Sequence, residues 1–109
     1  MSYNIIAVPT FRKELKKLAK KYHSLKTDLA VLFESLEENP TQGTSLGRNC
    51  YKIRLAISSK GKGKSGGARL ITNFVIADDT IYLLSIYDKS DKENLTDKEL
   101  DELLKYVPE

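Results

Sequence analysis

Apolar residues change their spacing repeatedly along the chain, and each change marks an element. Tyr3 to Val8 is a short apolar run ended by Pro9, which predicts a first strand. From Thr10 the period becomes helical: Phe11, Leu15, Leu18 and Tyr22 follow an i, i+4, i+7, i+11 spacing and fall within about 60° of one another. Lys13, Lys16, Lys17, Lys20 and Lys21 occupy the opposite side, in an arc of about 140°. Ser24 is a good N-cap for a second helix with the apolar stripe Leu25, Leu29, Leu32, Phe33 and Leu36. Asp28, Glu34, Glu37 and Glu38 form its outer face, and Asn39-Pro40 ends it, because proline disfavours helical geometry in the residue before it. Only one or two residues join the two helices, so they predict an antiparallel hairpin.

Thr41 to Gly47 is turn-rich and reads as a loop. From Cys50 the period is two: Tyr51, Ile53, Leu55 and Ile57 alternate with Lys52, Arg54, Ala56 and Ser58. Lys52 and Arg54 then share one face of a half-buried strand, about 6.8 Å apart. Ser59 to Gly67 is a loop rich in Gly, Lys and Ser, and Ala68–Ala77 and Thr80–Tyr87 are two further strands linked by a tight turn at Asp78-Asp79. Thr96 and Glu99 make a capping box for a last helix, with Leu95 and Leu100 as its hydrophobic staple and Leu100, Leu103, Leu104 and Val107 as its buried side. The expected order is β-α-α-β-β-β-α, an α+β domain in which a helical hairpin and a C-terminal helix pack on a small, mostly antiparallel sheet.

At 109 residues, the chain is expected to be a single domain spanning 1–109. Such a chain buries roughly two-thirds of its unfolded surface, enough for a core without a disulfide or structural metal. A composition 40% hydrophobic and 30% charged excludes a disordered chain. No apolar run approaches the roughly 20 residues of a membrane helix, and no basic leader with an apolar segment follows Met1, so no membrane association and a cytoplasmic location are expected. One cysteine, Cys50, and one histidine, His23, cannot build a Cys/His zinc site. His23 reads as a surface or capping residue, and Cys50 as strand packing rather than a nucleophile. The acids Asp97, Glu99, Asp101 and Glu102 suit the start of a helix rather than a metal.

Charge changes the picture most. The net +3 divides into +6 over residues 1–26, −4 over 27–47, +7 over 48–74 and −6 over 75–109. Two basic blocks between acidic ones suggest a face for a polyanion, or else solvated lysine faces. Gly63-Lys64-Ser65 resembles the end of a P-loop, but the required glycine five residues before Gly63 is Ser58, and the segment leads into a strand. Nucleotide binding by that route is excluded. Lys60, Lys62 and Lys64 on this loop either follow a phosphate backbone or sit at a solvated hairpin tip. Lys52, Arg54, Arg69 and Lys89 come from adjacent strands or strand ends, and in a suitable register they converge on one side of the sheet.

With these pieces in order, the chain resembles the RelE/ParE superfamily of toxins from bacterial toxin–antitoxin modules. The hairpin end Leu36-Glu37-Glu38-Asn39-Pro40 with Gly43, the strand Tyr51-Lys52-Ile53-Arg54-Leu55, the arginine-bearing Ala68-Arg69-Leu70-Ile71 and the strand end Tyr87-Asp88-Lys89 carry the resemblance. The loop Gly61–Gly67 is similar to that of HigB-type members. The resemblance implies a ribosome-dependent endoribonuclease that cleaves mRNA in the A site without metal or cofactor and is neutralised by a cognate antitoxin. It implies Arg69 as the phosphate-binding arginine, Lys52 and Arg54 as the basic pair, and Lys89 as the basic residue of the fourth strand. The family's catalytic tyrosine aligns near Leu95 here, leaving Tyr87 or Tyr106 in its place; Tyr87 joins the expected catalytic set. Lys13, Lys17, Lys20, Lys60, Lys62 and Lys64 are the expected contacts to RNA and ribosome. The alternatives are a ParE-like inhibitor of DNA gyrase and a non-catalytic RNA-binding module.

Overall fold

The computed structural model describes residues 3–92 and 94–108. Strand β1 (Asn4–Ala7) is followed by helices α1 (Pro9–Lys21) and α2 (Leu25–Glu38), strands β2 (Thr44–Gly47), β3 (Cys50–Leu55), β4 (Ala68–Val75) and β5 (Thr80–Asp88), and helix α3 (Asp97–Leu104). The five strands form one sheet in the order β1-β5-β4-β3-β2. β1 pairs with β5 in parallel, and every other pair is antiparallel. The expected α+β architecture stands, with one strand added. Among the described residues no helix is long and apolar enough to cross a membrane.

The helices follow their stripes. Phe11 and Leu18 of α1 and Leu25, Leu29, Leu32 and Leu36 of α2 are buried, while the five lysines of α1 are exposed. Every residue of β5 is buried, so both of its faces are covered, as a central strand requires. The capping box of α3 is formed: the Glu99 N–H donates to Thr96 Oγ1 (3.1 Å), and the Thr96 N–H donates to Glu99 Oε1 (3.0 Å).

Two local expectations change. Ser24 holds the N-cap position of α2 in helical geometry, and its hydroxyl does not cap. It bonds Asp28 Oδ2 (2.9 Å) and accepts from the Ser59 N–H (2.8 Å), because a carboxylate and a loop amide compete for it. The segment expected as a loop contains β2. All four β2 residues are exposed, so no alternation marks the strand in sequence. Its hairpin with β3 turns through Arg48 and Asn49, which have φ of 53° and 60°. Two positive φ values at the centre match the type I′ turn that suits strand twist. The Phe74 N–H donates to the Asn49 carbonyl (3.0 Å) and Asn73 Nδ2 to the Arg48 carbonyl (3.0 Å), which anchors the turn.

Gly67 sets how closely β3 and β4 approach where they leave the loop. A Cβ there would lie 2.0 Å from the Leu55 carbonyl oxygen, a backbone atom that cannot swing aside. Gly67→Ala is therefore expected to cost at least the 1–3 kcal/mol typical of overpacking, read as a lower urea midpoint. A midpoint unchanged from wild type contradicts this packing.

Candidate active site: a cleft of four cations

Strand register decides which basic residues meet. Arg54 on β3 stands opposite Arg69 on β4, and Arg69 stands opposite Tyr87 on β5. Directly opposed residues share a face, and Lys52, two residues from Arg54, shares it too. Lys89 follows β5 directly, and its N–H donates to the Gly67 carbonyl (3.0 Å), which fixes its backbone beside the start of β4. Lys52, Arg54, Arg69 and Lys89, with Ser65 and Asn94, line a cleft of about 140 Å³. Neither Ser65 nor Asn94 carries a sequence signal, since each comes from irregular chain and reaches the cleft only through folding.

Arg69 is only 4% exposed. Its Nη1 donates to the carbonyls of Lys64 (2.9 Å) and Ala68 (3.0 Å). Those two bonds use both hydrogens of one nitrogen and hold the fork still, leaving the Nη2 and Nε hydrogens for an anion. Lys52 Nζ donates to Asn94 Oδ1 (3.0 Å). Among the described residues no carboxylate lines the cleft. The ion pairs of the described residues lie elsewhere, joining Arg48 to Asp101, Lys60 to Asp88, Lys92 to Glu99 and Lys105 to Glu102. Four convergent cations with no counter-charge among the described lining residues suit a polyvalent anion, and arginine and lysine donors fit phosphate oxygens.

Two expected site residues are placed otherwise. Tyr87 does not line the cleft. It is buried, its hydroxyl has no partner among the described residues, and Lys92 Nζ sits 5.7 Å from its ring centre. Burial pushes its hydroxyl pKa up. Lys60 does not project from the loop. Its Nζ donates to Asp88 Oδ1 at 2.7 Å and lies 5.5 Å from the Tyr22 ring centre, because Asp88 is buried and requires a cation. Lys13, Lys17, Lys20, Lys62 and Lys64 are exposed. Cys50 is buried, and burial raises its thiol pKa, as suits a packing residue.

The family model described as "RelE toxin of RelE / RelB toxin-antitoxin system" matches residues 10–108. The chain belongs to the RelE toxin family. Solved members share its fold. A free double arginine-to-alanine mutant of E. coli toxin RelE is 19% identical, with 99% of this chain and 100% of that chain covered and a TM-score of 0.65. The toxin–antitoxin complex RelBE2 from Mycobacterium tuberculosis is 21% identical, covering 84% of this chain and 95% of that one at a TM-score of 0.59. The E. coli RelE mutant in complex with an antitoxin RelBc peptide is also 21% identical, covering 99% and 100% at a TM-score of 0.53. Within this RelE fold the strand cations surround the cleft, and the α1 lysines lie outside its lining.

Asp88 holds the cleft's frame. It accepts from Lys60 Nζ, Tyr22 Oη (2.6 Å), and the Ser90 N–H (3.0 Å) and hydroxyl (2.8 Å). Burial pushes its pKa up, but hydrogen bonds from Lys60, Tyr22 and Ser90 outweigh burial and hold the carboxyl well below the usual carboxylate range. A lowered folded-state pKa contributes stability above the unfolded value of about 3.9, and that stability is lost as pH falls towards the folded value. Asp88→Ala strands a cation and is expected to cost about 3–5 kcal/mol at pH 7. Its stability should also fall less steeply than wild type below about pH 4. Urea midpoints at pH 7 and pH 3.5 check both, and equal acid slopes for the two proteins contradict this role.

Proposed function

We propose that this RelE-family toxin cleaves mRNA bound in the ribosomal A site and is neutralised by a cognate antitoxin. The single observation that carries the reading is the convergence of Lys52, Arg54, Arg69 and Lys89 on one cleft, with no carboxylate among the described residues of its lining. In the proposed reaction a ribose 2′-hydroxyl loses its proton to solvent and attacks the adjacent phosphorus, and the P–O5′ bond breaks as the 5′-oxygen takes up a proton from solvent, giving a 2′,3′-cyclic phosphate and a 5′-hydroxyl. Negative charge gathers on the non-bridging oxygens as the phosphorus becomes five-coordinate. Donors already fixed in place stabilise that charge without reorganising, and in many enzymes such stabilisation contributes more to the rate than any other effect. Arg69 is the best held of them, since two carbonyls anchor one of its nitrogens. The cations can supply this neutralisation without a metal ion.

The antitoxin belongs to the proposal because solved relatives are complexes of toxin with antitoxin. The ribosome belongs to it because a broad cationic surface lies outside the cleft: Lys13, Lys17 and Lys20 on α1, and Lys62 and Lys64 on the loop, are exposed. Point charges repeated over a surface suit docking to phosphate-rich RNA rather than chemistry.

Arg69→Ala is expected to slow cleavage of ribosome-bound mRNA by 10²–10³, or about 2.7–4 kcal/mol of transition-state stabilisation, in protein shown to be folded. A folded variant that cleaves at the wild-type rate removes Arg69 from the site. Inhibition of gyrase supercoiling without RNA cleavage by the wild-type protein moves the assignment to the ParE-like function.

Neutralising Lys13, Lys17 and Lys20 together is expected to weaken ribosome binding and to lower the slope of log affinity against log salt by up to about three, with turnover of bound toxin little changed. Equal affinity at low and high salt reduces the lysine face to a solubility feature.

A further inference from the structure

At the β2 side of β3 lies a second, larger groove of about 640 Å³. Its size falls within the roughly 300–1,000 Å³ of small-molecule sites. Lys52 and Arg54 line both this groove and the four-cation cleft. The groove and the cleft therefore adjoin along these two residues.

The floor is apolar. Val31 of α2 is 64% exposed there, and Ile53 and Leu55 of β3 lie beside it. Such a surface fits the face of an unstacked base. The charge that remains available in the groove is positive. Its one acid, Asp28, is occupied: Oδ2 accepts from the Ser58 N–H (2.9 Å) and Ser24 hydroxyl (2.9 Å), and Oδ1 from the Ser58 hydroxyl (2.6 Å).

Two groups face the groove with hydrogen-bonding capacity to spare. A Cβ on Gly43 would lie 2.5 Å from the Lys52 carbonyl oxygen, so the Lys52 backbone points to the β2 side, while the Leu55 carbonyl points at Gly67 beside β4. Alternation turns the Arg54 N–H and C=O to the same side as Lys52. Pairing with β2 ends at Thr44 opposite Lys52, so no strand stands opposite Arg54. Gln42 Nε2 donates to Ser35 Oγ (2.9 Å) and to the Asn39 carbonyl (3.3 Å), which fixes the amide of this lining residue and leaves Oε1 as an acceptor without a partner among the described residues.

We propose that this groove holds the base next to the scissile phosphate, stacked on Val31, with Gln42 Oε1 accepting from an exocyclic amino group. The proposal rests on the RNA-cleaving reading and adds a preference to it: cytosine over uracil, which has a carbonyl where cytosine has its amino group. An extended peptide adding to the β3 edge is less well served. β3 ends at Leu55, so Arg54 is the one β3 residue beyond Lys52 whose backbone faces outward.

The test uses RNA trinucleotides made non-cleavable by 2′-deoxyribose at the attacking position, titrated into methyl-labelled full-length toxin. The expected result is a shift of the Val31 and Ile53 methyl signals and about three- to tenfold tighter binding of the cytidine than of the uridine version. Gln42→Ala should abolish that preference. Val31→Glu, at an exposed site that folding tolerates, should weaken both by about tenfold. Methyl shifts confined to residues beside the four-cation cleft, such as Ala68, with Val31 and Ile53 unmoved, or a preference that survives Gln42→Ala, overturn the groove assignment and leave the cleavage reading standing. Absence of RNA binding overturns it as well. Methyl signals that move on adding antitoxin but not RNA overturn it in favour of a peptide surface. Wild-type toxin that fails to cleave ribosome-bound mRNA, while its groove still binds the trinucleotides as described, removes the reaction and retains the base site.

Discussion

Asp88 has almost no contact with water, and an ionised carboxylate buried alone would cost more than a domain of this size could supply. It is stable only because donors from several directions reach it: Lys60 from the loop, Tyr22 from the end of α1, and Ser90 from the chain beyond β5. Each of those segments is fixed in turn. The loop root is held a second time where Asp28 bonds Ser58 and Ser24 bonds Ser59. The stretch from Gly61 to Gly67 therefore starts from a rigid base, and its Lys64 carbonyl can hold the Arg69 guanidinium. Lys89, next in sequence to Asp88, inherits the same anchorage. The cleft depends on a charge pair that does not line it.

The distribution of counter-charges follows a consistent logic. Asp88, Asp101, Glu99 and Glu102 pair with cations outside the cleft's lining, and none of them lines it. The cleft cations repel one another in the free protein, a cost that a phosphate bound as proposed would relieve. Proteins tolerate such local destabilisation at functional sites when the surrounding packing is firm. Here β4 and β5 supply it, with nearly every residue buried. The adjoining groove shares Lys52 and Arg54 with the cleft, and beyond the Thr44–Lys52 pair no strand stands opposite Arg54.

Much of this was legible in the chain itself. The stripes of α1 and α2, the alternation of β3 and the capping box of α3 are local patterns, and local patterns fix which residues face inward because helix and strand periods are set by backbone geometry alone. Segregation of charge into blocks marked the basic strands, and the residues Lys52, Arg54, Arg69 and Lys89 were identifiable as a set. Their convergence was not, because a one-residue slip in register would send the side chains of a strand to the opposite face. Tertiary pairing of Arg54 with Arg69, and of Arg69 with Tyr87, decided it. β2 was hidden because an edge strand exposed along its whole length has no apolar alternation and exists through its ladder to β3. Lys60 and Lys62 look alike in sequence, yet one is held by a carboxylate 28 residues away and the other is exposed. Tyr87 lies in the basic register but is withdrawn by burial, and Ser65 and Asn94 enter the cleft from irregular chain. Sequence alone determined the elements, their faces and the supply of cations, since these depend on near neighbours along the chain. Which cations stay free and which are neutralised was decided only by the tertiary structure, because electrostatic partners are chosen by distance in space.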